Sequence, residues 1–173
     1  MAVVTTKSAA ITNRDAVPST KNSAAVEGGV LREALGIVEL ANGDSVASKL
    51  IMCQVPSNAR ISQVLLSCDA IATSGAADCG VYYNTTDGGA VIDADHFASA
   101  VVLTSALVHS DISHEADAAD AGAGFGLADA AKPLWESLGL ASDPGKMLDV
   151  ALTLTTAAGG AGTVGLKVRY VVN

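Results

Sequence analysis

From Leu148 to Thr155 apolar residues alternate with small or polar ones: Leu148, Val150, Leu152 and Leu154 fall on one side, Asp149, Ala151, Thr153 and Thr155 on the other. A period of two is the mark of a half-buried β-strand and does not fit an amphipathic helix. After the breaker Ala157-Ala-Gly-Gly-Ala-Gly162, a second run puts Val164, Leu166, Val168, Tyr170 and Val172 on one face and Thr163, Lys167 and Arg169 on the other. The pair reads as a β-hairpin with a flexible tip. Ile37 to Leu40 and Val46 to Val55 flank Asn42-Gly43, whose Asn-Gly step supplies the positive φ angles of a tight turn, so a second hairpin is expected there.

Pro56-Ser-Asn58 breaks the pattern before a further strand over Arg60 to Ile71, where Val64, Leu66, Cys68 and Ala70 alternate with Gln63, Ser67 and Asp69. Shorter strands are indicated at Asp78 to Tyr83 and Ala90 to Ile92, on either side of Thr86-Asp-Gly-Gly89. Helix is scarce. The best case is Lys132 to Gly139, with Pro133 in the first helical position, Leu134 and Leu138 one turn apart and Gly139 closing the end. Asp93 to Ala100 reads as a second short helix with Asp93 as N-cap and Phe97 inward, although Val101, Val102 and Leu103 favour strand. Asp117 to Ala131 is Ala, Asp and Gly with little to bury and reads as a surface loop.

The expected fold is therefore all-β, an antiparallel β-sandwich of jelly-roll-like arrangement with one or two short helices. Half of the 173 residues are hydrophobic but only 3% are aromatic, so one core of Val, Leu, Ile and Ala in thin, close-packed layers is implied. Residues 1–30 show no sustained period and read as an extended N-terminal arm ahead of a sandwich domain at 31–173.

Charge divides along the chain. The arm region through Arg32 carries Lys7, Arg14, Lys21 and Arg32 against Asp15 and Glu27, a balance of +2, and the remainder carries −10, which together make the net −8. No Lys or Arg falls between Arg60 and Lys132, where ten acidic residues do. That balance argues against nucleic acid as a partner, because such affinity rests on neutralising phosphates. It suits either a solvated surface whose repulsion maintains solubility or an acidic face on the domain that meets the basic arm of a neighbour. Only 16% of residues are charged, so much of the surface is Ala, Gly, Ser and Thr, as in proteins that pack against others. The candidate partner-binding residues of the arm are Val3, Val4, Ile11 and Val17 as apolar anchors and Lys7, Arg14, Lys21 and Arg32 as cations. Fully burying the four apolar residues would yield roughly 6–12 kcal/mol, against roughly 1–2 kcal/mol for ordering each residue of the arm. The arm is expected to order only where its backbone pairs with a partner strand.

No motif for catalysis stands out. Asp93, Asp95 and His96, or His109, Asp111, His114 and Glu115, bring carboxylates and imidazoles together, but neither spacing matches a known metal motif. Gly122-Ala-Gly-Phe-Gly126 lacks the spacing of a phosphate-cradling loop, and GxSxG is absent. A scattered triad remains open at this level, and no cofactor is implied. Asn84-Thr-Thr86 fits a glycosylation triplet, idle without secretion. Cys53, Cys68 and Cys79 cannot all pair within one chain and read as small core residues made in a reducing compartment. The N-terminus does not read as a secretory signal, and no segment is long and apolar enough for a membrane span, so neither export nor a membrane partner is expected.

The arm Ala2 to Ala25, the stretch Val55 to Ile71, Gly88-Gly-Ala-Val-Ile-Asp-Ala-Asp-His-Phe-Ala-Ser99, Leu134 to Leu140 and Asp143 to Val150 together resemble small virion proteins of tailed bacteriophages, some of them head decoration or capsid cement proteins. The resemblance implies a non-enzymatic structural role on the capsid exterior. Its implied partners are the major capsid protein and further copies of the chain, as a homodimer or homotrimer. Synthesis in the bacterial host cytoplasm is implied as well. A tail or head-fibre module that binds a host glycan is the alternative, for which Trp135, Tyr82, Tyr83 and Tyr170 offer a thin aromatic supply.

Overall fold

The computed structural model describes residues 6–24, 26–114 and 124–172. Eight strands follow one another as β1 (Leu31–Leu40), β2 (Lys49–Pro56), β3 (Arg60–Cys68), β4 (Ala76–Tyr83), β5 (Val91–Val102), β6 (Leu107–Asp111), β7 (Met147–Thr156) and β8 (Gly162–Val171). Helix α1 (Ala9–Asp15) precedes them and α2 (Leu134–Ser137) lies between β6 and β7. The strands form two four-stranded sheets, a first in the order β1-β8-β3-β6 and a second in the order β2-β7-β4-β5. All the pairings are antiparallel. Strand order of this interleaved kind is that of an eight-stranded jelly roll, so the expected β-sandwich is the fold observed.

Neither expected hairpin forms. β1 pairs with β8, from Leu31 opposite Val171 to Leu40 opposite Gly162, while β2 pairs with β7. The Asn42-Gly43 turn exists, with Gly43 at φ 88° and the Asp44 N–H donating to the Ala41 carbonyl at 3.2 Å. It carries the chain from the first sheet into the second. The breaker after β7 does the reverse, and the two corners bind each other: the Gly43 N–H donates to the Ala158 carbonyl and the Ala158 N–H to the Asp44 carbonyl, both at 2.9 Å. Both strands at each corner must turn an apolar face to the same core, and opposite sheets satisfy that demand. Among the described residues, β4 and β5 are the one consecutive pair joined in a ladder.

The inner faces close over Ile61, Val64, Leu66, Leu148, Val150, Leu152, Leu154, Val164, Leu166 and Val168, all buried. Phe97 and Phe125 fill one end, edge to face with centroids 5.6 Å apart. Cys68 and Cys79 belong to this interior, whereas Cys53 is only half-buried, so the expectation of three core thiols holds for two. The thiol of Cys79 titrates well above the ordinary range because burial disfavours its anion.

Three local expectations are corrected. Asp93 to Ala100 is part of β5 and not a helix. Pairing with β4 and the flanking Val91, Ile92, Val101 and Val102 outweigh its helical pattern. Register shifts along that pairing, together with Ala100 at φ 48°, erase the period of two that would have announced a strand. Pro133 stands at the N-cap of α2 in extended conformation, one residue before the helix, because the Leu134 N–H is bound to the Ala59 carbonyl at 2.7 Å. Within 124–131, Phe125 and Asp129 are buried, so this part of the expected surface loop belongs to the body, while 117–123 lies outside the described residues.

Before β1, the chain is not wholly extended. Ala9–Asp15 forms α1, capped by the Ser8 hydroxyl accepting from the Ile11 N–H at 3.4 Å, and it buries no residue. A helix this short is marginal without packing. The Asn22 side chain ties it to the segment leading into β1, accepting from Asn13 at 2.8 Å and donating to Glu27 at 2.5 Å.

Candidate functional site

The eight candidate partner-binding residues divide into four groups, with Arg32 standing on β1 itself. Val3 and Val4 lie outside the described residues. Lys7 and the Arg14 Nε both meet the Asp15 carboxylate at 2.8 Å, and these two cations, Arg14 foremost, hold its carboxyl below the usual range. Two of the four arm cations are thus engaged within the arm. Lys21 and Arg32 are exposed and enter no ion pair among the described residues. Ile11, Arg14 and Lys21 border a shallow groove in the arm itself, and Val17 stands 98% exposed.

Beyond the arm, the outer face of the first sheet offers a surface that sequence reasoning missed. One polar row crosses all four strands: the Arg169 guanidinium donates to Glu33 at 2.7 Å and to Gln63 at 3.0 Å, and the Gln63 amide donates to Asp111 at 3.3 Å. The Arg169 contact and the nearby Lys167 keep the Glu33 carboxyl below its ordinary range. Beside this row the face is apolar. Leu31, Leu35 and Ile37 project from β1, Ile37 at 65% exposure, and Val108 from β6 is more open still. Ile37, Cys68, Leu107, Val108 and Gly165 border a shallow depression of about 350 Å³. The signal was present in β1. Leu31, Leu35 and Ile37 alternate with Ala34, Gly36 and Val38, so apart from Arg32, Glu33 and Glu39 both faces of the strand carry apolar or small residues, and only one can meet the core.

At one end of the body, Asp93, His96 and Ser137 stand in line, Asp93 Oδ2 to His96 Nδ1 at 3.0 Å and His96 Nε2 to the Ser137 hydroxyl at 3.1 Å. That is the order of acid, base and nucleophile in a serine hydrolase. His96 is 1% exposed and packed edge-on against Phe97 and Phe125, and burial pushes its pKa down despite the neighbouring Asp93. Asp95, sharing a hydrogen bond with Asp93, has its carboxyl pushed up. Three features make this a brace between β5 and α2. The Ser137 hydroxyl also reaches the Leu134 carbonyl at 2.9 Å. The adjoining groove is lined by Asp93, Asp129 and Glu136, which would repel a developing oxyanion, and Lys132 is bound to Asp129 at 2.7 Å. The other candidate cluster is dispersed. His109 sits on β6 with its N–H on the Ser67 hydroxyl, Asp111 accepts from the Ser113 N–H and hydroxyl, and His114 stacks on Phe125 at 5.3 Å. Glu115 lies outside the described residues.

The outer face of the second sheet holds a groove of about 540 Å³ between β2 and the turn after β4, bordered by Ile51, Gln54, Asn84, Thr85 and Met147, with Asp149 at its base. The alternation of β7 marks Asp149 as an outward residue, yet it is only 4% exposed. Its register partners Gln54 and Tyr82 flank it, and Tyr82 is itself held by the Thr153 hydroxyl at 2.7 Å and covered by the Lys49 ammonium 4.3 Å from the ring centre. Asp149 Oδ1 is buried with no hydrogen-bond partner among the described residues. Cys53 lies close enough for the Asp149 charge to act on it. Burial, with that charge, pushes the Cys53 thiol up to about 12. As for aromatic platforms, Tyr82 is buried, and Tyr83, Trp135 and Tyr170 are half-buried.

No protein-family profile matches this sequence, and no curated protein does. Among solved structures the chain is similar to one described as a cyanophage Pam1 capsid asymmetric unit, at 15% identity and a TM-score of 0.49, over 84% of this chain and 86% of that one. A likeness at that score carries no argument about function.

Proposed function

We propose that this chain is a phage virion structural protein that attaches to the outer capsid surface and cements neighbouring major capsid subunits, acting as a homo-oligomer and not as an enzyme. The observation that carries the reading is the path of exposed apolar side chains from the arm onto the body. Val17, Val26 and Val30 lead along the chain into Leu31, Leu35 and Ile37 on the outer face of β1. Each of these, once buried against a partner, contributes roughly 1.5–3 kcal/mol, a gain the isolated chain forgoes. β1 is also an edge strand, paired on one side by β8 and at the end of its sheet, so a partner strand can extend it by backbone hydrogen bonds.

A jelly roll with a tail suits cementing because the body grips one subunit while the arm reaches another. Each contact then raises the effective concentration of the next, and modest individual contacts suffice on a symmetric lattice. The sequence resemblance to tailed-phage decoration proteins points the same way. Stripping the protein from purified parent capsids should lower their thermal stability, followed by release of the packaged genome, and adding it back should restore it. Unchanged stability after stripping would overturn the reading.

A further inference from the structure

We propose that the groove over Asp149 is a binding site for a primary ammonium, and that its occupant is Lys21 from the arm of a second copy of this chain. The groove fits a lysine side chain. Ile51 and Met147 supply apolar wall for a four-carbon stem, Gln54, Asn84 and Thr85 supply polar groups along the rim, and a carboxylate lies at the base. Asp149 Oδ1 is an acceptor taken from water and given no partner among the described residues of its own chain. A buried carboxylate left in that state is costly, and an incoming cation converts the cost into an ion pair in a site where water screens little.

The choice of occupant follows from the charge inventory. Lys7 and Arg14 hold Asp15, Lys132 holds Asp129, Lys146 holds Asp87, and Lys167 and Arg169 hold Glu33. Arg60 donates to the Ala130 carbonyl and Lys49 lies over Tyr82. Lys21 and Arg32 remain without a described partner. Arg32 is fixed on β1 opposite Tyr170, whereas Lys21 lies in the non-helical segment between α1 and β1, exposed and able to reach outward. A metal ion suits the groove less well. Besides Asp149 the nearby candidate ligand is Cys53, whose thiol stays protonated at neutral pH, and the described residues hold no group of three His, Cys, Asp or Glu side chains placed to bind one.

The test is sedimentation equilibrium on the full chain with no capsid present, as a double-mutant cycle of Lys21→Met and Asp149→Asn. Each single variant should weaken self-association by roughly 30-fold or more, as when one partner of a buried ion pair is removed, and the double variant should be no weaker than either. Asp149→Asn should melt at or above the wild-type temperature, because it removes a buried unpaired charge, and Lys21→Met leaves the packed body untouched. A wild-type chain that stays monomeric up to about 1 mM, or losses that add in the double variant, would overturn the proposal. Because no shell takes part, its failure would leave capsid attachment untouched, and failure of attachment would leave this pair standing.

Discussion

Gly36 on β1 lies so close to Met52 on β2 that a Cβ at position 36 would fall 1.8 Å from the Met52 carbonyl oxygen. The two strands belong to different sheets, so this contact is where the edges of the sandwich meet. No side chain can yield there, since the obstructing atoms are backbone. Gly36→Ala should therefore force β1 away from β2 and cost about 3 kcal/mol or more, at or beyond the upper end of ordinary overpacking. Gly43→Ala, in open space at φ 88°, should cost only about 1 kcal/mol. Urea midpoints of the two variants check the contrast. Equal losses would show that the sheets do not close at Gly36.

What the sequence disclosed and what it hid differ in kind. Leu148 to Leu154 and Val164 to Val168 announced their strands because burial on one face is a local property of the pattern. Which sheet each strand joins is not local. Asn42-Gly43 says that the chain reverses, but whether β2 lies beside β1 or across the core depends on β7 and β8, more than a hundred residues away. Both ends of β5 were legible, but its middle, Asp93 to Ala100, stayed hidden because its bulges break the alternation. The Asp149 groove stayed hidden because its walls come from β2, β7 and the turn after β4, and no stretch of sequence contains all three. The arm's composition was plain, but the pairing of Lys7 and Arg14 with Asp15, which leaves Lys21 free of a described partner, depends on how the chain folds around α1.

The buried His96 makes stability depend on pH in a stated direction. Its folded pKa is depressed, so the native state keeps the ring neutral where the unfolded chain, near 6.5, takes up a proton. Stability should thus be fully present above about pH 6.5 and fall as pH drops through that value, by at most about 1.4 kcal/mol per unit, until the native ring also protonates. His96→Gln should be less stable at pH 7.5 and should show a smaller fall between pH 7.5 and 5.5. Urea unfolding at several pH values measures this. A wild-type slope identical to that of the variant would contradict it, and labelling of Ser137 by a fluorophosphonate probe would contradict the reading of the Asp93, His96 and Ser137 line as a brace.

On the outer face of the first sheet, Leu35→Thr with Ile37→Thr separates stability from attachment. Both positions are exposed and Thr, being β-branched, suits a strand, so unfolding should shift by no more than about 1 kcal/mol. Binding to stripped capsids should weaken by roughly tenfold or more, since the apolar area lost is area the partner would cover. Unchanged binding would move the docking surface elsewhere.

Co-sedimentation of an arm-deleted chain with stripped capsids addresses cementing most directly. Residues 6–24 contribute nothing to the core, so removal of Met1 to Ala25 should leave the jelly roll with near wild-type urea unfolding. Its retention on the shells should drop sharply, and the shells should stay heat-labile after it is added. A truncated chain that bound and protected the shells as fully as the intact one would contradict the account at its root.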